Sequence, residues 1–286
     1  MIACYVEEST YRCNYVPDIL RIQVHEIMKH YWFLFYRDRL LLQRSSDGTS
    51  AVPLQETSPV QLPDKTTVHN IEMPDGHVVR TATLMSDSVG EGYELFPLRS
   101  TYSLLPPRLY RFAGKCREIL HWDVNTHYCG ICGAPMQMHT SISKLCTRCG
   151  NEVWPTPVVA VIVLISRGDS ILLVRAKNFT RPFFGLVAGF VETGETLEEA
   201  VCREVHEEVG LTICNLRYVQ SQPWPYPCGI MVGFRADYSS GQLILQQSEI
   251  AEAQWATPDH LPLLPEKLSI ARKLIDGWLK EKTNPE

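Results

Sequence analysis

Long apolar runs are missing from this chain of 286 residues. The longest, Val158 to Ile165, falls far short of the roughly 20 residues a helix needs to cross a bilayer, and it reads as a buried strand. An excess of positive charge is missing too: 27 Lys and Arg stand against 32 Asp and Glu, a formal net charge of -5. That balance gives no broad attraction to nucleic acid or to an anionic membrane, so any RNA contact has to be local. Met1 to Pro17 carries Glu7 and Glu8 and lacks a basic stretch followed by an apolar core. The closing Thr-Asn-Pro-Glu holds no peroxisomal address, so the expected location is the cytoplasm. A disulfide framework is not indicated either. Of ten cysteines, four form one tight group, while Cys4, Cys13, Cys116, Cys202, Cys214 and Cys228 are scattered singly, which favours reduced thiols. Cys116 and Cys202 fall in predicted helices, where a free cysteine acts as a small apolar residue.

What is present suits an ordinary globular chain, 45% hydrophobic and 21% charged, long enough for two substantial domains and an insert. Trp32 to Tyr36 and Leu40 to Gln43 read as a hairpin around Arg37, Asp38 and Arg39, and His77 to Met85 as another strand. Ala51 to Asp75, rich in Pro, Thr and Ser, reads as loop. After Pro106 and Pro107 an amphipathic helix places Leu109, Phe112, Ala113, Cys116, Ile119 and Leu120 on one side. From Val158 the pattern turns α/β. Val158 to Ile165, Ile171 to Val174, Leu216 to Gln220 and Ile230 to Ala236 are strand-like, Leu186 to Ala188 leads into a glutamate-rich stretch, and Glu266 to Lys280 is a closing helix. By itself this patterning supports a mixed α/β fold.

Two stretches carry chemistry. Cys129-Gly-Ile-Cys132 and Cys146-Thr-Arg-Cys149, each followed by a glycine, place four thiolates where they can close a tetrahedron around Zn2+ with no open position for water. Such a zinc is structural. A redox dithiol is the alternative, and it needs only one such pair. His127 and His139 flank the group but are not required as ligands. Residues 189–211, here called the box, read GFVETGETLEEAVCREVHEEVGL. Thr196 can cap a helix in which Leu197, Val201, Val205 and Val209 recur every four residues, and Gly210 is placed to end it. Gly189 and Gly194 supply turn chemistry ahead of it, and Arg203 can orient Glu207. Glu204, Glu207 and Glu208 then crowd one side of the helix. Like charges so close repel, a cost offset most simply by divalent cations, for which hard oxygen ligands favour Mg2+ or Mn2+. A solvated acidic face is the plainer reading of three glutamates alone, and the concurrence of the flanking positions argues against it.

The spacing of Gly189, Glu195, Arg203, Glu204, Glu207, Glu208 and Gly210 resembles the signature of the Nudix hydrolases, which hydrolyse nucleoside diphosphates linked to another group. Ser221-Gln-Pro-Trp-Pro-Tyr-Pro227 reads as an ordered loop, because its alternating prolines oppose helix and central strand. It resembles the SQPWPFPxS signature of the NADH pyrophosphatases in that family, as does the cysteine group. Tyr226 stands for Phe, and Gly229 for the final Ser, which puts one hydroxyl contact in doubt. The resemblance implies a Nudix α/β/α sandwich over 156–286, a zinc ribbon over 125–155, and a mixed α/β, rudimentary Nudix-like domain over 1–124. It implies a homodimer that hydrolyses NAD(H) to nicotinamide mononucleotide and AMP, and that also removes NAD caps from RNA.

Carried over by motif, the resemblance makes Glu204 and Glu208 metal ligands, Glu207 a ligand or base, the Ala188 carbonyl a further ligand, and Glu249 the late glutamate that completes the site. Phe190 and Trp154 match aromatic positions that hold the nicotinamide ring. Gln222, Pro223, Trp224, Pro225, Tyr226, Pro227, Cys228 and Gly229 form the recognition loop, Ala271 matches a backbone contact, and Arg99 a phosphate partner. The acidic residue that touches substrate from the zinc insert of several members has no counterpart between Cys132 and Cys146. The implied reaction is attack of a metal-activated water on phosphorus, with Glu207 or Glu208 taking its proton. His206, at a variable position, reads as an outer-face side chain. Two other readings stand beside this one. The first is a Nudix hydrolase of another diphosphate such as ADP-ribose. The second is a non-catalytic nucleic-acid-binding ribbon, disfavoured because Lys144 and Arg148 are the only cations around the cysteines.

Overall fold

The computed structural model describes residues 2–7, 10–15, 29–179 and 181–283. The reading of Met1 to Pro17 as lacking a leader, and of Thr283 to Glu286 as carrying no address, falls in large part outside them, as do the side chains of Cys4 and Cys13. The eight remaining cysteines are free thiols. The chain divides into two compact units, Met1–Trp154 and Pro155–Glu286.

In the first unit, strands β1 (Ile2–Glu7) and β2 (Thr10–Tyr15) pair with each other. A seven-stranded mixed sheet follows, built from β3 (His30–Tyr36), β4 (Arg39–Arg44), β5 (Ser50–Ala51), β6 (Leu54–Gln55), β7 (His69–Glu72), β8 (Val78–Thr83) and β9 (Tyr93–Pro97). The expected hairpin is β3 and β4, turning at Arg37 with φ +56°. Trp32, Phe33, Leu34 and Phe35 are buried in succession, because β3 is covered on both faces. Helix α1 (Pro107–Asn125) packs on β8 and β3 through Ala113, Cys116, Ile119 and Leu120. Burial pushes the Cys116 thiol up to about 12, which makes it inert. The stretch expected as loop contains two strands. In β7, His69 and Ile71 point inward while Asn70 and Glu72 point out, an alternation too short to stand out among the surrounding Pro, Thr and Ser.

The same unit holds a small three-stranded sheet of β10 (Met136–Thr140), β11 (Ser143–Cys146) and β12 (Glu152–Val153). Its Lys144 is not a surface cation. It is buried, its ammonium 2.5 Å from the Asp123 carboxylate and 2.8 and 3.2 Å from the Asp123 and Thr126 carbonyls at the end of α1. The other Asp123 oxygen lies 3.1 Å from Nε2 of the buried His69. Burial acts to raise the Asp123 pKa, but these hydrogen bonds and charges outweigh it and hold the group at about 2.

The second unit is an α/β/α sandwich. Its sheet runs β16 (Leu211–Pro223), β17 (Gly229–Gly241), β13 (Val158–Arg167), β14 (Ser170–Ala176), β18 (Ile250–Ala256), with β15 (Val187–Phe190) also pairing with β13. Only the β13 and β17 pair is parallel. Alternation along β13 sends Val161, Val163 and Ile165 to one face, where Val201, Val205 and Val209 of α2 (Leu197–Val209) meet them. Ile162 and Leu164 go to the other face, against Leu274, Ile275 and Trp278 of α3 (Ile270–Thr283). The closing helix starts four residues later than its apolar pattern suggests, because the Ser269 hydroxyl accepts the Arg272 N–H and caps it there. No helix among the described residues is long and apolar enough to cross a membrane.

The Asp123 network yields a test. A carboxylate with a depressed pKa contributes stability that is present above its unfolded value and lost as pH falls through the folded one. Asp123→Asn should therefore lower stability at neutral pH by roughly 3 kcal/mol in denaturant titrations. The gap to wild type should close between about pH 4 and pH 2.

Candidate functional site

The glutamate-rich segment is built by local rules. Gly194 turns the chain at φ +95°, Glu192 N–H donates to Glu195, and Thr196 starts α2 with a reciprocal capping box. In that box Glu199 N–H donates to the Thr196 hydroxyl at 3.2 Å, and Thr196 N–H to the Glu199 carboxylate at 2.8 Å. Gly210, left-handed at φ +71°, ends the helix. Arg203 ties the segment together, contacting Glu195 at 2.6 and 3.0 Å, Glu204 at 2.9 Å, Glu207 at 3.0 Å and the Phe190 carbonyl at 2.9 Å. Its hydrogen bonds, with that from Glu192 N–H, hold the Glu195 carboxyl at about 2. Cys202 and His206 both point out into solvent, so of the two helical cysteines only Cys116 behaves as a core residue.

The three carboxylates differ in environment. Glu207 is exposed and paired with Arg203, Glu204 is largely covered, and Glu208 is buried at 5% exposure. Glu208 faces a cleft of about 330 Å³ that Ala188 and Glu249 also line. Among the described residues no cationic side chain pairs with Glu208 or Glu249. Burial, then the charges of Glu204 and Glu249, push the Glu208 carboxyl up to about 8. Burial also raises Glu204, against the pull of Arg203. A group of hard oxygen donors with more negative charge than the protein balances fits divalent cations. The carboxylate oxygens stand further apart than the cysteine sulfurs, the only group converging to within 4.8 Å among the described residues. That looser spacing suits ions that also keep water and substrate oxygens. Gly189 plays a different part from the one expected. It lies within β15, paired with Val161, and a Cβ there would sit 1.9 Å from the Glu204 carboxyl carbon. Its role is to leave room for that carboxylate, not to make a turn.

The proline-rich segment is only partly a loop. Ser221, Gln222 and Pro223 end β16 and pair with Val232, Met231 and Ile230, which is possible because β16 is an edge strand where the missing proline N–H is not needed. The loop proper, Trp224 to Cys228, is closed by Trp224 N–H to the Gly229 carbonyl at 2.7 Å and contains a cis Tyr226-Pro227 bond. Trp224 and Tyr226 meet edge to face, ring centroids 5.0 Å apart, and Pro225 is buried. The Gln222 side chain is engaged, not presented: it donates to the Leu268 carbonyl and accepts from Lys273, on either side of Ala271. Gly229 approaches Val158 so closely that a Cβ would lie 2.9 Å from its carbonyl oxygen, a reason for glycine at this departure from the signature. Phe190 ends β15 with its ring 65% exposed, and Ala271 is buried in the first turn of α3. Arg99 and Trp154 belong to the first unit, Trp154 exposed beyond β12. Cys228 accepts the Val158 N–H on its carbonyl.

The four cysteines meet as expected. Sγ atoms of Cys129 and Cys149 are 3.6 Å apart, and those of Cys132 and Cys146 3.4 Å. A tetrahedral zinc with bonds near 2.3 Å requires about 3.8 Å, so the donors fit. Backbone N–H groups of Ile131, Arg148 and Cys149 point at the sulfurs of Cys129 and Cys146 at 3.4 Å, as thiolates require. The Ala134 N–H, then Arg148 and the neighbouring cysteines, hold Cys132 at about 6 against the effect of burial. His127 and His139 are exposed and outside the group. With Lys144 buried and Arg148 bonded to the Cys132 carbonyl, the ribbon offers no basic face.

Motif reasoning missed the residues that follow β14. Lys177, Asn178 and Phe179 line the same cleft as Glu208 and Glu249, together with Val174 and Leu186. They carry no sequence signal, since only the pairing of β14 with β18 brings them beside Glu249.

Two outcomes are expected of the site. A raised carboxyl contributes stability that is present below its unfolded value and lost as pH rises through the folded one. Metal-free protein should thus weaken between about pH 4.5 and pH 8, and metal-free Glu208→Gln should melt above wild type at pH 8, by on the order of 2 kcal/mol. Gly189→Ala meets only the end of a flexible side chain, so it should keep its melting temperature while its Mn2+ affinity, read by titration, falls at least about 10-fold.

Residues 155–277 match the family model described as the NUDIX domain, and residues 29–122 match that of the NADH pyrophosphatase-like rudimentary NUDIX domain. Several curated proteins named NAD-capped RNA hydrolase NudC are similar to the chain. That of Pseudomonas entomophila is 38% identical over 217 residues, 74% of this chain and 77% of that protein. That of Deinococcus radiodurans is 37% identical over 228 residues, 73% and 81% respectively. That of Pseudomonas aeruginosa is 43% identical over 172 residues, 59% of this chain, and the match spans only 62% of that relative's length. With its capped box helix, its proline-rich edge and its four-cysteine ribbon, the chain belongs to the Nudix hydrolases of the NADH pyrophosphatase family.

Proposed function

We propose that the protein is a metal-dependent NAD(H) diphosphatase that yields nicotinamide mononucleotide and AMP, and that it also removes NAD caps from RNA. The observation that carries this reading is Glu208, buried without a cation in a cleft shared with Glu249 and Ala188, on the unit that also bears the proline-rich recognition segment. The relatives' printed name, NAD-capped RNA hydrolase, supports the capped substrate.

Glu204, Glu207, Glu208, Glu249 and the Ala188 carbonyl would hold Mg2+ or Mn2+. Such ions, when bound, neutralise charge on a diphosphate and acidify a water. Arg203 fixes Glu204 and Glu207 in place, and its bond to the Phe190 carbonyl sets the start of the box. Of the two base candidates, Glu208 is better placed. It lines the cleft and has no competing cation, whereas Glu207 is committed to Arg203 on the exposed side. The exposed Phe190 ring and the Trp224 and Tyr226 pair offer flat faces to a nucleobase or nicotinamide, and stacking contributes roughly 1–3 kcal/mol per ring. Trp154 is assigned the same task and Arg99 a phosphate contact. Gln222 and Ala271 brace the segment from α3, and Pro223, Pro225, Pro227, Cys228 and Gly229 shape it. Zn2+ in the cysteine group is structural, and the protein acts as a cytoplasmic homodimer.

With Mn2+ or Mg2+, purified protein should release AMP from NADH, and Glu208→Gln should lower the rate by about 10²–10⁴-fold. Equal turnover by wild type and Glu208→Gln would refute the mechanism. Running NADH, NAD+, ADP-ribose and NAD-capped RNA at equal concentration ranks the substrates, and faster turnover of ADP-ribose than of both NAD forms and the capped RNA would move the enzyme to the neighbouring reading.

A further inference from the structure

Lys177 directly follows β14 and lies at the rim of the cleft that Glu208, Glu249 and Ala188 line. Its backbone N–H donates to the Glu249 carbonyl at 2.7 Å, and its ammonium donates to the Gln247 carbonyl. From the opposite side, Gln246 N–H is bonded to the Glu208 carbonyl at 2.9 Å near the end of α2. Residues 246–249 are therefore strung between the box helix and Lys177. The turn closes on itself through the Glu249 and Ile250 N–H groups, which donate to the Gln246 carbonyl at 3.1 and 3.0 Å, but burial adds little: Gln247, Ser248 and Glu249 are exposed, and the first buried residue is Ile250. A loop with few buried contacts is free to move on its own unless hydrogen bonds restrain it. A ligand carboxylate, by contrast, works only if its support holds it to within about 0.5 Å.

We propose that Lys177 is a positioning residue for the divalent-cation site, gripping the Gln247 carbonyl so that the Glu249 carboxylate stays turned toward Glu204 and Glu208. The proposal rests on the metal-dependent reading given above. Lys177 is the one cation among the described residues lining the cleft. Its ammonium is spent on a backbone carbonyl, so it orients the loop without pairing with Glu208 or Glu249. Arg203 works the opposite way, on the carboxylates themselves. Neither box nor loop signature contains Lys177, and its partner lies 70 residues away in sequence.

The test is Mn2+ binding by the full chain, followed from the electron paramagnetic resonance of free Mn2+ with no nucleotide present. Lys177→Met keeps the aliphatic stem and removes the donor. It should weaken binding about 10-fold, and Lys177→Arg, which restores a donor, should recover to within about 3-fold of wild type. If Lys177 acts through Glu249, then in a Glu249→Gln background Lys177→Met should add less than about 2-fold. Unchanged binding by Lys177→Met, or the full loss reappearing in the Glu249→Gln background, would overturn the proposal. Wild type that binds no Mn2+ would instead remove the metal reading itself. Melting curves on the same samples report folding, and should Lys177→Met fail to fold, Lys177→Gln takes its place in each comparison.

Discussion

Glu208 occupies the face of α2 that packs into the sheet, beside Val205 and Val209, and no cation of the described chain meets it. An ionised carboxylate buried without a partner is destabilising by several kcal/mol. The one guanidinium in the segment, Arg203, is fully taken up by Glu195, Glu204 and Glu207. Burial and the neighbouring carboxylates therefore push the Glu208 carboxyl up to about 8, so that it keeps its proton at neutral pH unless, as proposed, a cation enters the cleft and balances its charge. The elements around it serve to keep that charge in place. The capping box starts α2 at a set position, Gly210 stops it, β15 carries Ala188 and the spacious Gly189 alongside, and the turn before β18 brings Glu249.

A second buried charge cluster, in the first unit, is resolved the other way. Lys144, Asp123 and His69 join β11, α1 and β7, and each finds its partner within the protein. The contrast separates the two roles that buried charge plays here. Where the network closes, it docks the cysteine-bearing sheet on the end of α1, whose carbonyls favour a cation. Where it stays open, around Glu208, it leaves the unbalanced carboxylates on which the proposed cation site rests.

Sheet order explains how distant segments reach the site. Because β14 pairs antiparallel with β18, Ala176 opposite Ile250, the residues after β14 and those before β18 come to one end of the sheet. Because β16 is an edge, Pro223 can close it and the chain can leave as a short, tightly hydrogen-bonded loop. Without that edge, Pro223 would leave a gap in the ladder.

Much of this was legible residue by residue. The capping box, the left-handed Gly210, the stripe of Val201, Val205 and Val209, and the two cysteine pairs all depend on neighbours within a few residues, and short-range rules are written in short-range order. The start of α3 at Ile270 departs from the sequence reading because its cap at Ser269 carries no apolar signal; β7 and the role of Gly189 depart from it because each depends on a partner elsewhere, β8 and the Glu204 carboxylate. Lys177 was invisible for the same reason. The sequence by itself determined that four cysteines meet and where α2 begins and ends, since knuckle turns and hydrogen-bond geometry within a turn are local. Only the tertiary structure decided which carboxylate is dry, which lysine is buried and which lysine stands at the cleft, since burial is a property of everything that surrounds a side chain.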